Sequence, residues 1–100
     1  MNFNLPIKKL NNDAIMPTYG SEFAAGADLY SIEAVTIQPH ETVLVHTGIA
    51  MEIPNGYVGL IYARSGLATK RGIRLANSVG VIDSDYRGEV IVALHNDSDM

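Results

Sequence analysis

Two carboxylates two residues apart, then an aromatic ring and an arginine, stand in the run Gly80-Val81-Ile82-Asp83-Ser84-Asp85-Tyr86-Arg87-Gly88-Glu89. Valine-rich sequence flanks it, from Val79 to Ile82 and from Val90 to Val92, so the stretch reads as a β-hairpin with a polar tip. Gly80 to Asp83 could present backbone N–H and C=O groups to a flat heterocycle. Turn chemistry alone would also explain Asp, Ser and Gly here, without any ligand. A second stretch, Arg64-Ser65-Gly66, directly precedes a possible helical turn at Leu67. Helix N-termini present free N–H groups and partial positive charge, which suits a phosphate oxygen. Ser65 adds a hydroxyl, Gly66 a close backbone approach, and Arg64 a fork of donors. The plainer reading is a serine N-cap beside a solvated arginine.

These stretches carry a resemblance. The run GVIDSDYRGE resembles the third motif of the dUTP pyrophosphatases, Ala25-Gly26-Ala27-Asp28-Leu29 the first, and Arg64-Ser65-Gly66-Leu67-Ala68 the second. The three stand in the family's order, and the resemblance covers essentially the whole chain. The family continues into a fourth motif, G-x-R-I-A-Q, and a glycine-rich fifth carrying an aromatic residue, whereas this chain stops at Met100. The chain is therefore expected to be the front part of a longer enzyme.

The resemblance implies a distorted jelly roll, a β-clip sandwich, assembled as a homotrimer with shared sites. It also implies hydrolysis of dUTP to dUMP and pyrophosphate, which keeps uracil out of DNA and supplies dUMP for thymidylate synthesis. Arg64, Ser65 and Gly66 would hold the phosphates. Gly80, Val81, Ile82 and Asp83 would read uracil, with Asn77 contacting the base and Ile91 closing the pocket. A site that leaves a polar group unpaired with cytosine can discriminate strongly. Tyr86 would pack under the deoxyribose, leaving no room for a 2′-hydroxyl, while Asp83 accepts a bond from the 3′-hydroxyl. Asp83 would also orient and activate the attacking water, a task that depends on its position. Mg²⁺ would ride on the triphosphate and keep several waters, with Asp28 reaching it through water. The plainer readings are a turn residue for Asn77, core for Ile91, a rim residue for Tyr86, and a strand-end carboxylate or intersubunit ion pair for Asp28. Asp85 and Arg87 are read as holding the tip in shape.

Composition sets the bounds. One hundred residues suit one domain over 1–100, and 47% apolar residues argue against disorder. There is no cysteine for a disulfide or thiolate metal site, which fits a reducing compartment such as the cytoplasm. Residues 1–10 hold Lys8 and Lys9 without an apolar run behind them, so no signal peptide or membrane span is expected. A net charge of −4 argues against a long nucleic-acid partner. Five of the seven basic residues, Arg64, Lys70, Arg71, Arg74 and Arg87, crowd one quarter of the chain. That suits a small polyanion, or a solvated face with scattered ion pairs.

The elements that must position these residues are short. Strands are expected at Leu5 to Leu10, Ala27 to Ser31, Val35 to Ile37, Thr42 to Thr47, Ile49 to Ile53 after a bend at Gly48, Tyr57 to Ala63, and Ile73 to Leu75, besides the two arms around Asp83. Leu67 to Arg71 is the one helix expected. Many short strands with frequent turns mean an all-β sandwich or barrel. His40, His46 and His95 show no ligand spacing and read as structural. Two rival readings remain: a dCTP deaminase of the same fold, which the intact third motif argues against, and a catalytically silent nucleotide-binding or trimerising module, favoured by the missing fourth and fifth motifs. A jelly roll without a ligand leaves three ordered motifs unexplained.

Overall fold

The computed structural model describes residues 4–100. The reading of residues 1–10 as no leader thus falls partly on residues 1–3, outside the described residues. Seven strands and one helix follow in order: β1 (Ile7–Lys9), β2 (Thr42–His46), β3 (Ile49–Met51), β4 (Gly59–Ile61), α1 (Ser65–Arg71), β5 (Ile73–Leu75), β6 (Gly80–Ile82) and β7 (Ile91–Asn96). All-β with one short helix is what the turn-rich, β-branched sequence leads one to expect.

The strands form three small antiparallel sheets, β1 with β3, β4 with β6, and β2-β7-β5 with β7 central. This overturns one expectation. The arms on either side of Asp83 do not pair with each other, so the segment is not a hairpin. β6 pairs with β4, Val81 opposite Leu60, while β7 pairs with β2 and β5. Asp83 to Glu89 therefore carries the chain from one sheet to another. The local signal is the same in both cases; the choice of partner is decided by residues remote in sequence. Two other expected strands are absent. Residues 27–31 contribute only an isolated bridge, Thr18 to Asp28, and residues 35–37 form no ladder. The β-branched Val35, Thr36 and Ile37 find no partner strand, and β propensity is satisfied only against one.

Gly48 is the bend the sequence suggests. It lies at φ 69°, and the chain passes there from β2, in the three-stranded sheet, to β3, in the sheet with β1. A side chain would not fit. A Cβ on Gly48 would stand 2.8 Å from Ile32 Cγ2 and 3.0 Å from Ala14 Cβ. The core explains the crowding: Ala14, Ile49, Ile53, Ile82 and Val90 are buried together, with Leu29, Ile32 and Val92 packed around them. Ile82 and Val90 are the two ends of the crossing segment, so both of its feet stand in one core.

Helix α1 buries none of its residues. Local features hold it: Lys70 and Arg71 in the last turn, where the helix dipole favours cations, and a left-handed Gly72 whose N–H bonds Leu67 O.

Gly48→Ala combines a left-handed backbone with a steric overlap. We expect it to lower stability by about 1–3 kcal/mol or more, seen as a lower urea midpoint at unchanged slope.

Candidate functional site

The crossing segment walls an open cleft of about 180 Å³, lined by Ile61, Asn77, Gly80, Val81, Ile82, Asp83, Tyr86, Glu89, Val90 and Ile91. Seven of these, Asn77, Gly80, Val81, Ile82, Asp83, Tyr86 and Ile91, are the residues singled out from sequence for the base, the sugar and the water. Arg64, Ser65, Gly66 and Asp28 are not among the lining residues. The cleft is smaller than the ~300–1,000 Å³ of typical small-molecule pockets, so it has room for part of a ligand.

Each wall has a local cause. β6 bonds β4 along one edge, and its other edge has no strand partner among the described residues. Asn77 is held in a tight turn where Ser78 adopts φ 66° and Val79 N–H reaches Asn77 O at 2.7 Å. Tyr86 N–H donates to Asp83 O at 3.0 Å, closing the turn that carries the carboxylate. Arg87 Nη1 caps two carbonyls of the same turn, Ser84 O at 2.7 Å and Tyr86 O at 3.1 Å. Arg87 thus holds the loop in shape, as its place in the motif suggests. Tyr86 lies back on its own loop. Its hydroxyl donates to Glu89 O at 2.7 Å, and a Cβ on Gly88 would stand 2.7 Å from that hydroxyl, so only glycine fits beneath the ring.

Two carboxylates share the cleft in different states. Glu89 accepts Gly48 N–H at 2.9 Å with Oε2, and its Oε1 lies 2.9 Å from His46 Nδ1. The His46 hydrogen bond, then the Gly48 one, hold the Glu89 carboxyl below the usual glutamate range. Asp83 is exposed, and its carboxylate has no hydrogen bond or ion pair among the described residues. Asp83 is the carboxylate available to a water or a hydroxyl.

Around Arg64 the geometry is sparser. Arg64 is the N-cap residue of α1 but makes no side-chain cap bond, and Ser65 is the first helical residue rather than the cap. Arg64 Nε stands 3.9 Å from Asp28 Oδ1. Asp28 therefore faces a guanidinium, the ion-pair reading now within one chain. No three His, Asp or Glu side chains gather in a metal-binding group among the described residues. The clustering of basic residues in sequence also disperses: Arg74 bonds Asp97 at 2.6 Å and Arg87 serves its own loop. The three histidines each meet a carboxylate: His40 Asp99, His46 Glu89 and His95 Asp97.

Ile61, Glu89 and Val90 complete the cleft without having been singled out. Ile61 enters only because β4 pairs with β6, which no local string reveals. Glu89 ends the motif, and that was its available signal. A larger hollow of about 400 Å³ lies over Val45, Leu67, Ile73 and Leu94. It holds none of the singled-out residues, and the polar Asn96 on its wall already bonds Ile37 O and Met100 O.

The sequence model described as dUTPase matches residues 12–100. The chain belongs to the dUTPase family. Among relatives named deoxyuridine 5′-triphosphate nucleotidohydrolase, that of Nautilia profundicola is 55% identical over 94 residues, covering 94% of this chain and 66% of the relative. That of Hydrogenobaculum sp. is 52% identical over 96 residues, covering 95% and 67%. The chain thus spans about two thirds of the length of these dUTPases. The dUTPase of phage phi11 of S. aureus superposes with a TM-score of 0.88 at 34% identity, over 96% of this chain and 61% of that one. A variant of the Staphylococcus bacteriophage 80alpha dUTPase, solved with dUpNHpp, gives 0.89 at 35% identity, over 97% and 56%. The three small sheets are therefore the distorted jelly roll, or β-clip, of the dUTPases. A structure of a phi11 dUTPase variant describes a structural Mg(II) ion in that protein.

Acid should loosen this dUTPase fold at two places. Arg74 first, by its hydrogen bond, holds the Asp97 carboxyl low, as His46 and Gly48 hold Glu89. A carboxylate depressed on folding contributes stability that is complete above its ordinary value and disappears as pH falls through the folded value. The urea midpoint should fall below pH 4.5 and downward, and Glu89→Gln and Asp97→Asn should each flatten that fall.

Proposed function

We propose that the chain carries the base- and sugar-binding half of a dUTP diphosphatase site and its catalytic carboxylate, for hydrolysis of dUTP to dUMP and pyrophosphate. The observation that supports this most is the cleft, which gathers Asn77, Gly80 to Asp83, Tyr86 and Ile91 around one unpartnered carboxylate in a dUTPase-family chain. In this reading the free edge of β6 reads the uracil edge with backbone groups. Pairing that fails with cytosine leaves a buried polar group unsatisfied, a strong basis for rejection. Asn77 contacts the base and Ile91 closes the pocket around it. The Tyr86 ring packs under the sugar and excludes a 2′-hydroxyl, and Asp83 accepts from the 3′-hydroxyl.

The reaction needs an in-line water and a base. Asp83 orients a water towards the α-phosphorus and takes its proton. The water oxygen forms the new P–O bond as the bond to the bridging oxygen of the β-phosphate breaks, and pyrophosphate leaves. Mg²⁺ bound to the triphosphate would neutralise its charge, and Asp28 would be the residue to reach it through water. Arg64, Ser65 and Gly66 act as phosphate ligands.

Their absence from the cleft supports a site shared between copies, Arg64 to Gly66 of one chain facing Asp83 of another in a homotrimer. Exposed apolar side chains support the same assembly. Leu60 and Val81 face each other across β4 and β6, yet are 50% and 61% exposed. Such a patch marks an interaction surface. Among the described residues no helix is long and apolar enough to cross a membrane, and we assign the cysteine-free chain to the cytoplasm.

The test offers the protein dUTP, dCTP, dTTP and UTP with Mg²⁺ and measures pyrophosphate and ammonia. Pyrophosphate from dUTP alone is the expected result; ammonia from dCTP would replace the proposal with a deaminase. Asp83→Asn should lower turnover by about 10²–10⁴-fold, the usual contribution of a general base, while calorimetry finds dUMP affinity little changed. Equal turnover would remove Asp83 from the reaction.

A further inference from the structure

Glu89 lines the cleft, and the reading above gives it no part. Its contacts run in two directions. Inward, its carboxylate bridges His46 Nδ1 and Gly48 N–H, both at 2.9 Å. The neighbouring Val90 adds three more ties to the same bend. Val90 O accepts Thr47 Oγ1 at 2.6 Å and Thr47 N–H at 3.3 Å, and Val90 N–H donates to Ile49 O at 2.8 Å. Outward, Glu89 O accepts the Tyr86 hydroxyl at 2.7 Å. Residues 89 and 90 together thus join the β2–β3 bend to the Tyr86 ring, Glu89 by its side chain and Val90 by its backbone.

The bend itself is fixed. Thr47, Gly48 and Ile49 are buried, and the crowded left-handed Gly48 leaves it no alternative path. The Tyr86 ring is 44% exposed, lying over Gly88 and held at its tip by that one hydrogen bond to Glu89 O. A ring so exposed takes its position from its tether. The Glu89 side chain and the Val90 N–H bond to Ile49 O together hold the peptide that carries this acceptor.

We propose that Glu89 is a positioning residue for sugar selection. By clamping the loop to His46 and Gly48 it sets the Tyr86 ring at the distance that accepts deoxyribose and refuses ribose. This rests on the proposed reading of Tyr86 as the sugar platform. The clamp makes a separate physical claim, that residues 83–90 are held by a contact more than forty positions away in sequence. Glutamine at position 89 keeps an acceptor for Gly48 N–H and an amide that can meet His46 Nδ1. Alanine keeps neither.

The test compares the protein with Glu89→Ala, Glu89→Gln and His46→Ala. Amide hydrogen exchange is read over residues 83–90, with β5 as internal reference, and calorimetry gives the affinities for dUMP and UMP on the same samples. We expect Glu89→Ala to speed exchange at Tyr86 and Val90, leave β5 unchanged, and lower the dUMP-over-UMP preference by about five- to tenfold, the scale of one lost hydrogen bond. Glu89→Gln should recover most of both, and His46→Ala should fall between them. Unchanged exchange in Glu89→Ala overturns the clamp. Equal weakening of dUMP and UMP overturns the selectivity role, because a merely structural loss affects both alike. Should the unaltered protein bind neither nucleotide, the sugar-platform reading fails. Exchange over residues 83–90 then decides the clamp alone, faster exchange supporting it and unchanged exchange overturning it.

Discussion

The structure depends on how one loop is anchored. Asp83 to Glu89 leaves one sheet at Ile82 and enters another at Val90, and both flanking residues are buried in the same apolar cluster. A hairpin would hold its tip through a ladder of cross-strand bonds. This segment has none between its arms, so its shape is set by its feet, its own internal bonds and the Glu89 contacts to His46 and Gly48. The two feet are tied to different sheets, which converts a local turn into a bridge between layers. A polar loop can stay ordered at the surface this way, since the ordering entropy is offset by apolar burial at both ends.

That arrangement explains what could be read from sequence. Helix, bend and turns depend on residues within a few positions of each other, and α1, Gly48 and the Asp83 turn all stand where the residue types place them. Strand existence was legible where a partner happened to be available: Thr42 to His46 pairs with β7 along its full length. Val35 to Ile37 has the same composition and no partner. The supposed hairpin failed for the reason that residues 27–31 failed. Periodicity and turn signals describe one strand at a time, and pairing is a property of two.

The cleft divides along the same line. Its residues from Gly80 to Tyr86 are contiguous, so one motif delivered most of the lining. Ile61 arrives through the β4–β6 pairing, nineteen positions before its partner Gly80. Glu89 was visible as a letter of the motif, but its partners His46 and Gly48 lie more than forty positions away in sequence. Resemblance can name a residue within a motif. It cannot say which of two nearby carboxylates is already committed to other donors, and that distinction separates Asp83 from Glu89.

The dispersal of the basic residues follows from the same physics. Five cations in one quarter of an acidic chain suggest a single field. Side chains, however, spend their charge on what is nearest in space. Arg74 goes to Asp97, and Arg87 to the carbonyls of its own turn. Arg64 alone among the three is left largely exposed, with Asp28 at 3.9 Å, too far for a strong hydrogen-bonded pair. A guanidinium held in place yet weakly engaged can change partners at small cost, while a carboxylate with no partner at all invites one. Arg64 and Asp83 are one such group of each sign. Asp83 lines the cleft and Arg64 does not; the two are positioned by different elements, the crossing segment and the start of α1.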